Sequence, residues 1–315
     1  MAFNIEHHCL WIGHANDYEQ SLGLNNNQMI VPTIVQVNEQ QVLALPITTL
    51  NADDYFSRLT TVLKTVVNTL DIDWLSAPIL VLLPQLGTVD QAQHQALYPH
   101  VCQAIPALAS HPHCYLYPYG RSAMILAWKQ IERLLNQKKH SEVWVLALDS
   151  DPRLSPPLSG AATRTPQEAG PGMVAAESVI VVKVSATSTG LIRPWLSYEA
   201  LTREKARSVA VMALFQRYQH ACGLPVHQFY APYDGDQGGA DEWAGAYHQL
   251  HGCVGKFTQI VMNGSVMGEL GACSGLYNLL HLYERYQRGE YRHPTLQLEI
   301  SEKLYRGAAL YAWQP

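Results

Sequence analysis

The chain has 315 residues, of which 48% are hydrophobic and 15% charged, and this fits one large or two modest globular domains with extensive burial. No run of about 18 apolar residues occurs, and the N-terminus lacks a basic region followed by an apolar run, so we expect a cytoplasmic protein without a membrane span. The formal net charge is −5 and no Lys/Arg cluster is present, which argues against nucleic-acid binding.

Apolar runs typical of buried strands alternate with helical patterns from about residue 54 onward. In the first part of the chain we predict strands at residues 78–84, 115–117 and 143–148, separated by helices at residues 54–70, 90–104 and 121–135. Residues 151–172 are rich in Pro, Ser, Thr, Ala and Gly, so we predict a mobile surface loop there.

The second part of the chain continues the alternation of strands and helices. Strands are predicted at residues 179–184 and 226–230, and helices at residues 198–220, 241–251 and after Gly271. This order predicts an α/β fold of two fused halves, residues 1–185 and 186–315, with helices covering the sheets. The two halves share no recognisable repeat at the residue level.

The most specific motif is a glycine-rich segment at residues 268–276, with the sequence GELGACSGL, that runs into a long helical pattern. It resembles the Gly-His-x-x-Gly-Ala-Ala-Gly turn and helix of β-ketoacyl synthases. Glu269 stands where that family has a catalytic histidine. The resemblance extends from about residue 79 onward and implies a thiolase-like fold.

The resemblance also places the other catalytic positions of the family. The nucleophilic cysteine corresponds to Tyr117, in the stretch that precedes the helix at residues 121–135. The histidine of the His-Gly-Thr-x-Thr turn corresponds to Pro232, and the family's lysine corresponds to Gly264. In the stretch similar to Gly-Glu-Gly-Ala-Ala, at residues 171–176, either Met173 or Glu177 aligns with the family's acid.

Chemistry indicates that these replacements remove the condensing activity. Claisen condensation needs a thiolate to hold the acyl group and histidines to stabilise the enolate. A phenol with a usual pKa near 10 is a poor nucleophile at neutral pH, so Tyr117 is not expected to carry an acyl chain. Pro232 has no proton to give or take. We therefore expect a degenerate ketosynthase site that needs no cofactor.

Proteins of this degenerate kind suggest two roles. One is that of an accessory, adaptor or scaffold protein acting through protein–protein contacts, for instance in a bacterial type VI secretion system, and the short chain favours it. The other is a chain-length-factor-like partner of an active ketosynthase and its acyl carrier protein. A competing hypothesis is an acyltransferase or hydrolase that uses Cys114, Cys273 or Glu269 in new chemistry.

Other polar motifs have simpler interpretations. The six scattered cysteines contain no CxxC pair, which predicts buried reduced thiols. Imidazole and thiolate groups at residues 111–114 and 7–9 are suitable metal ligands, but a histidine-rich loop is the commoner explanation. The acidic residues after the 226–230 strand favour a solvated turn and a helix N-terminus over a cation site; they are Asp234, Asp236, Asp241 and Glu242.

The resemblance further implies a homodimer. In the family, the strand before the nucleophile turn lies at a sheet edge and pairs with the same strand of a second copy. Here that strand is apolar and aromatic, and a soluble monomer would have to hide such an edge. The predicted interface residues are His113, Cys114, Tyr115, Leu116 and Tyr117.

Overall fold

The structure is a computed structural model of the chain. It describes residues 1–24, 29–37, 39–49, 54–86, 91–136, 140–156, 173–201, 207–233 and 237–315. No helix within these ranges is both long enough and apolar enough to cross a lipid bilayer.

Strands and helices alternate along most of the described chain. The strands are β1 (Ala2–Ile12), β2 (Thr33–Val37), β3 (Gln40–Leu45), β4 (Ile79–Leu82), β5 (Cys114–Tyr117), β6 (Glu142–Ser150), β7 (Ala175–Thr187), β8 (Gly190–Ala200), β9 (Gln228–Tyr230), β10 (Gln259–Val261), β11 (Thr295–Ile300) and β12 (Tyr305–Gln314). The helices are α1 (Tyr18–Ser21), α2 (Tyr55–Val67), α3 (Gln91–Ala104), α4 (Ala123–Asn136), α5 (Arg207–Ala221), α6 (Gln237–Ala246), α7 (Gly264–Met267) and α8 (Ser274–Gln287).

The strand order, β10-β9-β11-β12-β8-β1-β7-β6-β4-β5, contains the same arrangement twice. In the first half, β4 is parallel to β5 and β6, while β7 is antiparallel to β6 and β1. In the second half, β9 is parallel to β10 and β11, while β12 is antiparallel to β11 and β8. The halves join where Phe3 of β1 pairs with Leu191 of β8. The prediction of two fused α/β halves is therefore confirmed at the level of topology.

The predicted boundary between residues 185 and 186 lies near the end of β7, just before the turn into β8. The exact position of that boundary stays a prediction. The β2–β3 hairpin lies outside the duplicated arrangement, and β3 pairs with the first half through a short parallel ladder of Ala44 with Ala175 and Leu45 with Ala176.

Helices and sheets form five layers. The central hydrophobic cluster combines α4 and α8 with the inward side chains of both half-sheets. A second cluster joins the outer face of the first half-sheet to α2 and α3, and a third joins the outer face of the second half-sheet to α5 and α6. The order is thus helix, sheet, helix, sheet, helix, with α4 and α8 in the middle.

Side-chain alternation along β6 shows why its sequence is a continuous apolar run. Val143 and Val145 enter the central cluster, whereas Trp144 and Leu146 enter the outer cluster with α2 and α3. A strand covered on both faces needs apolar residues at every position. The same reason applies to β4, where every residue is buried.

The structure corrects part of the prediction for residues 198–220. Tyr198 to Ala200 belong to β8 and pair with β12, and the described part of helix α5 runs from Arg207 to Ala221. The large side chains around residue 198 fit a helical pattern. The pairing of Ala200 with Tyr305 nevertheless places the backbone of this segment in a strand. The sequence analysis also did not predict the strands β11 and β12, which pair with each other as a hairpin and with the sequence-distant strands β9 and β8.

The predicted mobile loop at residues 151–172 is only partly described. Its first residues are buried rather than exposed: Asp151 is 1% and Leu154 2% accessible. The carboxylate of Asp151 accepts hydrogen bonds from Nε and Nη2 of Arg153, at 2.9 and 2.6 Å, and this holds the turn closed. The exposure prediction is wrong for these residues, and residues 157–172 lie outside the described part of the chain.

Candidate functional site

The helices α4 and α8 begin in the same way. Gly120 has φ 55° and Gly271 has φ 49°, and each opens a three-residue 3-10 turn that runs into a helix of 14 residues. Left-handed backbone of this kind favours glycine. The duplicated topology therefore brings two equivalent helix starts together between the half-sheets.

Each helix start is held by the opposite half of the molecule. Ala272 donates its backbone N–H to Oδ2 of Asp149, at the end of β6, over 2.5 Å. Ser122 donates its N–H to Oγ of Ser301 over 3.2 Å and its hydroxyl to the carbonyl of Glu299 over 3.3 Å, at the end of β11. We call the region between these contacts the junction site.

A buried ion pair links the two halves across the junction site. Nε of Arg121 donates to Oε1 of Glu269 over 3.0 Å, and Nη2 of the same guanidinium contacts Oε2, so the pair is bidentate. Both side chains are only 7% exposed. Oε1 of Glu269 also accepts the N–H of Gly271 over 2.8 Å, and a carboxylate oxygen of Glu302 lies 3.9 Å from Nε of Arg121. The pair fixes the geometry at the start of both helices.

Two of the three predicted catalytic positions meet at this pair. Pro232 and Glu269 line a cavity of about 20 Å³ together with Arg121, and Gly264 lines it too. The carbonyl of Pro232 accepts a hydrogen bond from Nε1 of Trp243 over 3.1 Å. A cavity of this size holds about one water molecule. As lined by the described residues, this cavity is smaller than an acyl chain.

Tyr117, the position predicted for the nucleophile, lies apart from the cavity lining. It is the last residue of β5, half-buried against the central cluster, and its ring centroid lies 6.2 Å from that of Tyr119. Burial raises the pKa of its phenol to about 12, so the hydroxyl stays protonated at neutral pH. The residue at the helix start that reaches Glu269 is Arg121.

Sequence reasoning missed Arg121. The signal in the sequence was Gly120, which precedes a helix just as Gly271 does. Comparing the two helix starts places Arg121 in a 3-10 turn that is buried inside the protein. An arginine in an otherwise apolar helix start is rare without a buried partner. That partner comes from a residue 148 positions away.

Two buried carboxyl groups lie at equivalent strand ends, with Asp149 6% and Glu299 0% accessible. Burial raises the pKa of Asp149 well above its usual value, against the opposing effect of the hydrogen bond from Ala272. Burial also raises the pKa of Glu299, whose oxygens accept hydrogen bonds from Asn278 at 2.8 Å and Ser274 at 3.1 Å. These groups favour the protonated form more than exposed carboxyls do.

Glu177, one of the two alternatives for the family's acid, accepts hydrogen bonds from several segments of the chain. Its carboxylate accepts hydrogen bonds from Nε of Arg58 at 2.5 Å and Nη2 at 2.7 Å, and from the hydroxyl of Ser150 at 2.9 Å. The N–H of Ile47 adds a further bond at 2.7 Å. Met173, the other alternative, is a buried apolar side chain. Both carboxylate oxygens of Glu177 are therefore hydrogen-bonded, and these bonds fix the position of α2 and of the loop before it.

The thiols proposed for new chemistry lie in environments that disfavour thiolates. Burial raises the pKa of Cys114 to about 11 and that of Cys273 well above its usual value. The thiol of Cys273 donates to the carbonyl of Ser178 over 3.4 Å. Reactive cysteines need the opposite shift, since the thiolate is the nucleophile.

No group of three or more metal-binding side chains is arranged around a common point in the described residues, the histidine motifs at residues 7–9 and 111–114 included. Among the predicted acidic cluster, Glu242 is instead bound by Arg306, whose Nε and Nη2 donate to its carboxylate over 3.1 and 2.9 Å. Asp234 and Asp236 lie outside the described residues.

β5 stands at the end of the strand order, as predicted for an edge strand. His113 before it is exposed, whereas the strand side chains are half-buried. Tyr115 and Tyr117 pack on the central cluster, and Cys114 and Leu116 pack on the outer cluster with α2 and α3. The homodimer built on these residues stays a prediction.

A scan against protein-family models found no match, and a search of the curated proteins found none either. Solved structures do match. The chain is similar to the ishigamide ketosynthase/chain length factor, with a TM-score of 0.64 and 14% identity over 100% of both chains. It is also similar to the ketosynthase from module 1 of the bacillaene synthase of Bacillus amyloliquefaciens FZB42, with a TM-score of 0.64 and 12% identity over 99% of this chain and 75% of the other.

A third similar structure is ketosynthase twelve of the bacillaene polyketide synthase in Bacillus amyloliquefaciens, with a TM-score of 0.66 and 10% identity over 99% of this chain and 75% of that one. At these identities the likeness shows the fold alone. The chain has a thiolase-like, ketosynthase-like α/β fold, which confirms the resemblance carried by residues 268–276.

Proposed function

We propose that this protein is a ketosynthase-like protein without condensing activity that works through contacts with other proteins. One observation carries the proposal: the junction site is occupied by the bidentate pair of Arg121 and Glu269 and leaves a cavity of about 20 Å³. A guanidinium held by a carboxylate cannot attack a thioester. The space beside it is too small for an acyl group.

The degenerate positions agree with this proposal. Acyl transfer requires a nucleophile activated by a neighbouring base or by a lowered pKa. The phenol of Tyr117 has a raised pKa, and Pro232 supplies no side-chain proton. Glu269 is the titratable group among the three positions that reaches the cavity, and it is already bound by Arg121.

An accessory role requires only surfaces that bind other proteins. A part in a bacterial type VI secretion system is one instance of such a role. A second candidate is a chain-length-factor-like partner of an active ketosynthase. The similarity over the full length of the ishigamide ketosynthase/chain length factor favours this second candidate. Both roles predict a protein that binds partners and forms no acyl-enzyme.

Intact-mass measurement after incubation with acetyl- and malonyl-CoA tests the loss of activity. We expect no mass increase under conditions in which an active ketosynthase is fully acylated. A stable adduct would overturn the proposal. Loss of that adduct in Cys114→Ala or Cys273→Ala would identify the thiol responsible and establish an acyltransferase instead.

Affinity purification of the native protein with mass spectrometry separates the two roles. Recovery of an acyl carrier protein together with a ketosynthase supports the chain-length-factor-like role. Recovery of secretion-machine components supports the adaptor role. Reconstitution of the recovered complex from purified proteins then decides whether the contact is direct.

A further inference from the structure

β10 is the edge strand of the second half-sheet. It stands at the opposite end of the strand order from β5, and in the described residues it pairs with β9 alone. Gln259 donates its N–H to the carbonyl of His227 over 2.8 Å, and Ala231 donates to the carbonyl of Val261 over 2.9 Å. Backbone groups alternate in direction along a strand, so the N–H and C=O of Ile260 point away from β9.

Large apolar side chains stand exposed around this edge. Phe257 is 49% exposed, Ile260 40%, Met262 37% and Val266 44%, and all four lie within ten residues of the chain. We call them the β10 patch. By contrast, each side chain of β5 is half-buried in its own chain. An edge strand flanked by exposed apolar groups is a template for pairing with another chain.

The segment that contains β10 has no acidic side chain and, histidines aside, one basic side chain. From Trp243 to Gly268 the sequence contains no Asp or Glu, and its one fully charged side chain is Lys256, which is exposed beside Phe257. The ring of Phe257 lies 5.0 Å from that of His227, which stacks at 3.9 Å on His293. Acidic groups of a partner would therefore meet a cation and imidazoles here and no opposing carboxylate within this segment.

We propose that the β10 edge docks an extended segment of a partner protein, apolar and acidic in composition, as an added strand. The backbone of that segment pairs with the outward N–H and C=O of Ile260, and its apolar side chains cover the β10 patch. Its acidic side chains approach Lys256. The inference rests on the proposed accessory function, for which it names a contact surface and the chemistry of the partner.

Binding of dye-labelled peptides to the full chain, followed by fluorescence anisotropy, tests the proposal. The probe is an eight-residue peptide that alternates valine with glutamate, and the comparison peptide alternates valine with lysine. We expect saturable binding of the first peptide and much weaker binding of the second. Equal binding of both peptides, or binding of neither, would overturn the proposal.

Two variants locate the site. Proline is tolerated on an edge strand where its nitrogen faces solvent, so Ile260→Pro removes the outward N–H and leaves the bonds of Gln259 and Val261 to β9 intact. We expect it to weaken the acidic peptide about tenfold, as loss of one strand hydrogen bond predicts. Lys256→Glu should weaken it about threefold at low salt.

The test variant Ile260→Lys is compared with Leu75→Lys as its matched control. Leu75 is also an exposed apolar residue, 54% accessible, and it lies in the first half. Only the change at Ile260 should reduce binding, with unchanged melting temperatures for both variants. Peptide binding unaffected by Ile260→Pro and Ile260→Lys would overturn the assignment. The acylation measurement is independent: an acyl-enzyme that still bound the peptide would overturn the accessory function and keep the docking edge.

Discussion

For the buried pair of Arg121 and Glu269, the contribution of the intact pair to stability differs from the cost of removing one partner. Removing two charges from water costs about as much as their attraction returns, so such a pair adds little stability over apolar side chains of similar size. Removing one partner is different, because the other charge stays buried. Both side chains are 7% exposed, so removal of either one should leave the other charge buried and destabilise the protein.

We therefore expect Glu269→Ala to lower the free energy of unfolding by about 3–5 kcal/mol, measured by urea titration. The control is Glu199→Ala at the more exposed pair with Arg217, whose side chains are 22% and 44% exposed, and it should cost about 1 kcal/mol or less. The double variant Arg121→Met with Glu269→Leu should recover much of the loss. If Glu269→Ala costs no more than Glu199→Ala, the pair does not hold the junction site.

Asp149 gives a pH dependence of defined sign. Burial raises its pKa in the folded protein, so the folded chain binds this proton more tightly than the unfolded chain does. Its contribution to stability is therefore complete below the unfolded pKa of about 4 and is lost as the pH rises through the folded value.

Asp149→Asn removes this titration while keeping an acceptor for the N–H of Ala272. We expect the stability of the wild type relative to Asp149→Asn to fall as the pH rises above the unfolded pKa of about 4, measured by urea titration at each pH. A difference that stays constant as the pH rises would mean that Asp149 is ionised in the folded protein.

At the scale of elements, the starts of α4 and α8 depend on close approach as well as on backbone conformation. A Cβ atom at Gly271 would lie 2.1 Å from Oδ2 of Asp149, and one at Gly120 would lie 2.8 Å from Oε2 of Glu302. At Gly271 the buried carboxylate of Asp149 leaves no space for a side chain, whereas at Gly120 the flexible end of Glu302 can move aside.

Gly271→Ala should therefore cost about 3 kcal/mol or more, since left-handed strain adds to the displacement of the Asp149 carboxylate. Gly289→Ala is the matched control: its φ is 70°, but a Cβ there meets nothing within 4 Å. It should cost only the conformational strain of about 1–2 kcal/mol. Thermal unfolding of both variants measures the difference, and equal losses would show that close approach to Asp149 is unimportant.

At the scale of the whole molecule, the duplicated topology places β5 and β10 at opposite ends of the main strand order, with the β2–β3 hairpin off this path. The two edges differ in how their side chains are used. Those of β5 pack on the core of their own chain, which leaves mainly its backbone edge for pairing, whereas the β10 patch is exposed. The predicted assembly through β5 and the proposed docking at β10 can therefore be tested separately.

We expect a homodimer in sedimentation equilibrium at micromolar concentration, built on β5. Leu116→Asp should shift it to monomer, because a charge would be buried at the paired edge. Leu116→Ala is the control, since it loses the same packing on the outer cluster without adding a charge, and it should stay dimeric. A monomeric wild type, or a dimeric Leu116→Asp, would contradict the β5 interface.

The sequence by itself determined the fold class and predicted where two positions of the candidate site lie. Residues 268–276 identified the thiolase-like fold, and the apolar runs of β4, β6 and β7 were recognisable because both faces of those strands are buried. Pro232 and Glu269 were placed at the site because they follow local motifs, and the structure puts both in the lining of one cavity.

Tertiary structure alone decided what occupies the site. Arg121 has no local motif, and its partner Glu269 is 148 residues away, so only the packing of the two halves brings them together. The same holds for β8 and β12, whose strand conformation comes from pairing between distant segments. Local sequence patterns report which faces are buried, whereas contacts between distant residues depend on how the chain folds back on itself.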